Sequence, residues 1–205
     1  MTRSQRTLAL ATLCWSMLGM TSAAIAQDYP TKPIRFVVGF APGGGTDFVA
    51  RTIGRRISET MGQQIVIDNR PGAGGVTASE HVAKGPADGY SILVGAAGPL
   101  TIAPSLAERV GFDTVKDFAP IALIASSPFV LVVHPSLPAK SVGEFIAYAK
   151  ANPGKVNFGS SGTGTLLHLS AELFNSMGGI RMVHIPYKGA GAAVTDVMAG
   201  RVPVY

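Results

Sequence analysis

The sequence predicts an α/β fold with parallel-rich sheets, and three observations lead there. Near-continuous apolar runs of strand length, beginning with Ile34 to Phe40, recur along the chain. Amphipathic stretches of helical period alternate with them, and short connections rich in glycine join the two. A strand that is apolar at nearly every position needs both faces covered, which alternating helices do for a parallel sheet.

Ile34 to Phe40 opens the series, and the loop Ala41-Pro42-Gly43-Gly44-Gly45 leads into a helix from about Asp47 to Met61. Ile65 to Ile67 is the next strand, followed by the loop 68–75 and a short helix to about Lys84. The turn Pro86-Ala87-Asp88-Gly89 precedes a third strand, Tyr90 to Val94. Two apolar runs then lie close together, Ile121 to Ile124 and Phe129 to Val133, and both read as strands. Ser141 and Glu144 form a capping box, so a helix starts there and ends before Asn152-Pro153-Gly154. Val156 to Phe158 is a strand, Gly159 to Gly164 a loop, Thr165 to Met177 a helix, and Arg181 to His184 a further strand. The loop Ile185 to Gly189 opens a last helix, Gly191 to Ala199, with Gly200 at its C-terminal end and Val202 to Tyr205 as a strand just starting. The style of the strands changes near residues 100–120. This divides the chain into lobe 1 (27–110) and lobe 2 (111–205), and the strand stub at the end marks the fold as incomplete there.

The first 26 residues read as a secretory signal: Arg3 and Arg6, an apolar run from Leu8 to Met20, and Ala24-Ile25-Ala26 before the cleavage point. The run is shorter than the about 20 residues a spanning helix needs. The only cysteine, Cys14, falls inside it behind the bulky Leu13, which disfavours lipid attachment. Cleavage leaves no thiol or disulfide chemistry. Removing Arg3 and Arg6 from the 17 basic residues leaves 15 against 12 acidic ones, a charge of +3. The cations are scattered without interleaved aromatics, which points away from nucleic acid, while a mild positive bias suits a small anion.

Three glycine-rich loops each run from the C-terminal end of a strand into a helix N-terminus, the edge at which open parallel sheets bind ligands. Unpaired amides and partial positive charge gather there, and glycine lets backbone approach an anion closely. Known catalytic motifs are missing. There is no P-loop and no G-x-G-x-x-G, and Thr163 stands where a G-x-S-x-G elbow needs glycine. His134, His168 and His184 have no paired metal-ligand spacing. Neither a metal nor a cofactor is expected, and no base adjoins the loop hydroxyls as an enzyme would require.

Tyr29-Pro30-Thr31-Lys32-Pro33-Ile34, with Phe40-Ala41-Pro42-Gly43-Gly44-Gly45-Thr46-Asp47 and Ala50-Arg51, resembles the start of a Bug-family protein, an extracytoplasmic receptor of tripartite tricarboxylate transporters. Asn69-Arg70-Pro71-Gly72-Ala73-Gly74-Gly75, the stretch Gly159 to Leu169, and Pro186-Tyr187-Lys188-Gly189 match the family's later motifs in order. Gly39 departs from the family's usual proline, a change expected to loosen the first loop. The resemblance implies a two-lobed periplasmic-binding-protein (Venus-flytrap) fold whose first lobe is completed by a C-terminal segment missing here. It also implies a carboxylate held by the first loop and by Gly159 to Thr165, partly through ordered waters.

On this reading the ligand-binding candidates begin with the first loop: Phe40, Ala41, Gly43, Gly44, Thr46 and Asp47. Phe40 either lines the pocket or fills the core. Thr46 either caps the helix or binds through its hydroxyl. Asp47 either stabilises the helix start or meets a ligand amino group or bridging water. Asn69, Gly72, Ala73 and Gly74 shape the pocket wall. In the second lobe the candidates are Ser160, Gly162, Gly164 and Thr165, with Ser161 as a further hydroxyl. Thr165 also suits a helix cap, and His168 is either structural or a contact. Tyr187, with Lys188, either closes over the ligand or is solvated. The expected function is capture of a small carboxylate in the periplasm for a tripartite tricarboxylate-type permease. The alternative is a periplasmic sensor feeding a membrane kinase.

Overall fold

In the computed structural model, which describes residues 28–107 and 109–205, the apolar run after Pro33 forms β1 (Ile34–Val38). Ile34, Phe36 and Val38 alternate onto one face and are buried, while Val37 is buried on the other. β1 is the middle strand of a parallel sheet, flanked by β2 (Ile65–Asn69) and β3 (Ser91–Val94) in the order β2-β1-β3. Phe36 stands in register with Ile67 on one side and Ile92 on the other.

Helix α1 (Gly45–Met61) joins β1 to β2. Ala50, Ile53 and Ile57, at helical spacing, pack on the Ile34–Phe36–Val38 face. Close approach is possible because Gly54 has no side chain: a Cβ there would lie 3.0 Å from Ile65 Cγ2. The helix ends at Gly62 in the left-handed region, and Ser58 links it to the next strand by accepting the Ile65 amide at 2.9 Å. Helix α2 (Val76–Ala83) joins β2 to β3. After β3 the chain makes a π-helical turn, Gly98–Ile102, that runs into a single turn, α3 (Ala103–Leu106). Pro99 and Pro104 disguise this helical segment in the sequence, because each sits in a first turn where it is tolerated.

The second sheet is built the same way. Ser141 caps α4 (Val142–Ala151) by accepting the Glu144 amide, and the Glu144 carboxylate reaches back to the Lys140 amide at 2.7 Å. β4 (Asn157–Ser160) and β5 (Val183–Pro186) pair in parallel, with α5 (Leu166–Gly178) between them and α6 (Ala190–Met198) following. Phe145, Ala149, Val156, Phe158, Ile180, Met182 and Val204 form the core of this region. Both sheets belong to one unit spanning Lys32 to Tyr205. The expected signal segment lies outside the described residues.

One expectation is corrected. Ile121 to Ile124 and Phe129 to Val133 are not strands: residues 121–132 carry no regular secondary structure and are exposed. A strand exists only through a partner backbone, and a partner reaches only the end of this run. Val132 and Tyr205 exchange amide bonds of 2.7 and 2.9 Å, His134 donates to Pro203 at 2.8 Å, and Val133 bridges Val204. Val204 also bridges Phe158, so the strand stub read at the chain's end adds to the β4 edge.

Candidate functional site

The glycine loops that leave the strand ends meet one another backbone to backbone. Ala41 donates its amide to Lys188 O at 2.9 Å. A Cβ on Gly191 would lie 3.1 Å from Pro42 O, so the first loop and the start of α6 are packed with no room between. On the other side, Gly74 (φ +62) would place a Cβ 2.9 Å from Thr163 O, and Gly162 (φ +136) would place one 3.2 Å from Tyr187 O. These two glycines are required twice over, by a conformation L-residues avoid and by the neighbouring carbonyl. At Gly39 a Cβ would lie 2.8 Å from Gly75 Cα, so its absence lets the β1 exit close onto the 72–75 turn.

Between these loops lies a cavity of about 240 Å³ lined by Gly39, Phe40, Gly72 to Gly75, Ser161 to Thr163, and Pro186 to Lys188. Of the candidate residues, Phe40, Gly72, Ala73, Gly74, Gly162 and Tyr187 line it. Phe40, just before the first loop, shares the cavity with Ser161 to Thr163, while residues 41–46 are outside its lining. Ala41, Gly43, Gly44, Thr46, Asp47, Asn69, Ser160, Gly164, Thr165 and His168 are not in the lining. Ser161 and Lys188, weighed beside those candidates, also line it, and Gly39, Gly75, Thr163 and Pro186 join without having been named. Thr163 carries no sequence signal of its own, because its place at the loop tip depends on the turn at Gly162.

Behind the first loop, buried Asp47 organises the backbone. Its Oδ2 accepts from the Gly43 amide at 3.0 Å and from Arg51 Nε at 2.9 Å, and its Oδ1 accepts from Asn69 Nδ2 at 2.9 Å. Asn69 Nδ2 also reaches Phe40 O at 2.9 Å, and Arg51 donates to Asn69 Oδ1 at 3.2 Å. Burial alone would raise the Asp47 pKa. The bonds from Arg51, Gly43 and Asn69, with the Arg51 charge, outweigh it and hold the carboxyl at about 2. Thr46 does not cap α1; Gly44 occupies the cap position with no side-chain bond.

The second loop is held by hydroxyls and imidazoles. Ser160, fully buried, accepts the Gly162 amide at 3.1 Å and meets His184 Nε2 at 2.6 Å. Thr165 donates to Gly162 O at 2.7 Å and caps α5. His168 Nδ1 accepts the Gly164 amide at 3.2 Å, and its ring stacks on His184 with centroids 4.0 Å apart. Tyr187 turns its hydroxyl away to Asp196 Oδ2 at 2.7 Å; burial and then that carboxylate push its pKa up to about 12. Among the described residues no group of three or more His, Cys, Asp and Glu is placed to hold a metal ion, and no helix is long and apolar enough to cross a membrane.

The model of the tripartite tricarboxylate transporter family receptor matches residues 49–205. The chain belongs to this family. Protein BugT of Bordetella pertussis is 38% identical over 95% of this chain and 60% of its own length. A Rhodopseudomonas palustris protein solved with adipate is 42% identical, with a TM-score of 0.83 over 86% of this chain and 59% of its own. MatC of the same organism, solved with bound malate, is 33% identical, with a TM-score of 0.80 over 86% of this chain and 60% of its own. The Bug-family resemblance and the parallel-sheet binding-protein fold stand on these likenesses. The chain spans little more than half the length of the relatives it matches.

Proposed function

We propose that the cavity captures a small carboxylate, with the loops at Phe40, Gly72 to Gly74 and Ser161 to Thr163 offering backbone amides to its oxygens. The observation that carries this reading is the convergence of glycine loops from the ends of both parallel sheets on one space of about 240 Å³. That volume lies below the ~300–1,000 Å³ of sites for drug-sized ligands, which suits a metabolite of a few carbons. Lys188 lines the rim and adds a positive charge to the amide dipoles. Relatives solved with adipate and malate support the same ligand chemistry.

In this reading Asp47, Asn69, Ser160, Gly164, Thr165 and His168 act from behind the loops, fixing where the amides point rather than touching the ligand. The chain is exported by its Arg3-to-Ala26 signal, works in the periplasm and hands its ligand to a permease of the tripartite tricarboxylate type. A ligand that binds only the folded state raises the melting temperature. A thermal-shift panel of adipate, malate, tricarboxylates, aromatic acids and amino acids tests the reading. A rise with at least one carboxylate supports it. A cooperative melt that none of them moves removes it.

A further inference from the structure

His184 has no place in the cavity lining, yet it sits at the centre of the groups that shape the second loop. Its ring packs against Phe158, with centroids 4.9 Å apart, and against His168, at 4.0 Å, and those two lie 6.4 Å from each other. Its Nε2 lies 2.6 Å from the Ser160 hydroxyl, and that oxygen in turn accepts the Gly162 amide. His168, the other ring of the pair, accepts the Gly164 amide at Nδ1. Two of the amides on either side of Thr163 are therefore tied to imidazoles, one directly and one through a serine.

We infer that His184 and His168 are positioning residues for the ligand loop, a neutral imidazole pair that holds the Gly162 and Gly164 amides in place and releases them when it takes up a proton. This rests on the carboxylate-capture reading of the cavity. The chemistry follows from the donors and acceptors. A proton on His168 Nδ1 would meet the Gly164 N–H head on, so that bond breaks. A proton on His184 Nε2 makes it a donor to Ser160, whose own hydrogen is then fixed on Gly162 O at 3.2 Å beside the bond from Thr165. The serine oxygen must then serve two donors, the imidazolium and the Gly162 amide, which loosens its hold on the amide. Stacked at 4.0 Å, the rings do not both carry charge.

The titratable groups facing His184 are His168 and Glu172, both from α5; the paired strand β4 presents Phe158 and Ser160, which do not titrate in this range. Glu172 Oε1 lies 3.8 Å from His168 Nε2, the ring nitrogen other than the Nδ1 that accepts the Gly164 amide. Burial, then the neighbouring His168, lowers the His184 pKa from its ordinary 6.5. Above the ordinary histidine range His184 is therefore neutral and can hold Ser160.

The test is an NMR titration of the full chain from about pH 8 to about pH 5, the range in which histidine changes charge. It follows the imidazole nitrogens and the Gly162 and Gly164 amides, with adipate and malate affinity measured at both ends. In the wild type both amides should shift together with the imidazoles, and affinity should fall towards the acid end. His184→Gln keeps a polar atom near Ser160 but cannot titrate. It should remove the pH response of Gly162 and flatten the loss of affinity, and Ser160→Ala should uncouple Gly162 from His184 with the ring still titrating. Amides that stay still while the imidazoles titrate overturn the inference on the wild type alone, as does a His184→Gln variant with unchanged pH dependence. If the amides respond as expected and neither adipate nor malate binds at any pH, the loop brace stands and the capture reading falls.

Discussion

Behind the first wall of the cavity stands a carboxylate, and behind the second an imidazole pair. Asp47 gathers Gly43, Arg51 and Asn69 around one buried charge. Ser160, Thr165, His168 and His184 hold the Gly162–Gly164 turn through hydroxyls and imidazoles, without a carboxylate. Both solve one problem, fixing a glycine-rich turn that has no side chains of its own to pack. The difference is in what disturbs them. The first brace fails only in strong acid, the second in the mild acid that protonates histidine. One wall is a permanent feature and the other is conditional.

The largest expected effect comes from the platform of the second wall. Phe158 is buried under both histidine rings and within the Phe145–Val204 core. Phe158→Ala should cost ~3–5 kcal/mol in urea unfolding, as large-to-small changes at packed aromatic positions do. If the two walls are independent in their bracing, the Asp47 network should keep its acid response in this variant wherever it still folds. A joint loss of both responses would merge the two braces into one.

Asp47→Ala comes next. Its carboxyl, at about 2 instead of 3.8, stabilises the folded state by at most about 2 kcal/mol, with screening at half-exposed Arg51 reducing that further. The sign is fixed by the lowered pKa. The contribution is complete above pH 3.8 and disappears as pH falls through about 2. For His184, also lowered, the loss starts higher, as pH falls below 6.5. Acid unfolding of the wild type should therefore show a mild loss near neutrality and a second one near the carboxylate range. Asp47→Ala should shrink only the second, to which Asp88, Asp113 and Asp196, also held low, contribute as well. A variant whose lower step is unchanged places that step on the other acids.

Much of this was legible from local chemistry. The apolar run of β1, the cap at Ser141 and the glycine ending α1 are each written in a few neighbouring residues. The loops around the cavity were legible for the same reason, since glycine clusters at strand ends mark themselves. The bracing was not, because it is made by residues far apart in the chain. Asp47 and Asn69 are separated by 22 positions, and Ser160 and His184 by 24. Nothing in a lone histidine at the end of a strand announces a serine partner on the next strand. The misread strands at 121–133 fail on the same ground: apolar content was visible, but pairing is a relation to another backbone.

Glycine substitutions sharpen the comparison at a smaller scale. Gly162 combines φ +136 with a carbonyl 3.2 Å from any Cβ, and such strained positions cost ~1–3 kcal/mol. Gly44 sits at φ −89, and a Cβ there would meet Ala190 at ordinary contact distances of 3.5 to 3.6 Å. Gly162→Ala should therefore weaken both stability and carboxylate binding, while Gly44→Ala costs ~0.5–1 kcal/mol of stability alone, the difference between glycine and alanine at a cap. Thr46→Ala, which removes no cap, should cost least. Equal losses at all three would mean that the shape of the turns is not what selects the ligand.

The smallest stability effect belongs to the exposed apolar run. Leu123 is 88% exposed and Val130 72%, so neither side chain contributes much burial to the fold as it stands. Leu123→Ser and Val130→Ser should each change stability by less than about 0.5 kcal/mol, as exposed positions do. Colloidal behaviour is another matter, because a contiguous apolar stretch with unpaired backbone invites association between chains. The double variant should stay monomeric at concentrations where the wild type self-associates, with the same melting temperature at dilution. A drop in that temperature would show that residues 121–131 are packed in solution, and the strand reading of the apolar run would be restored.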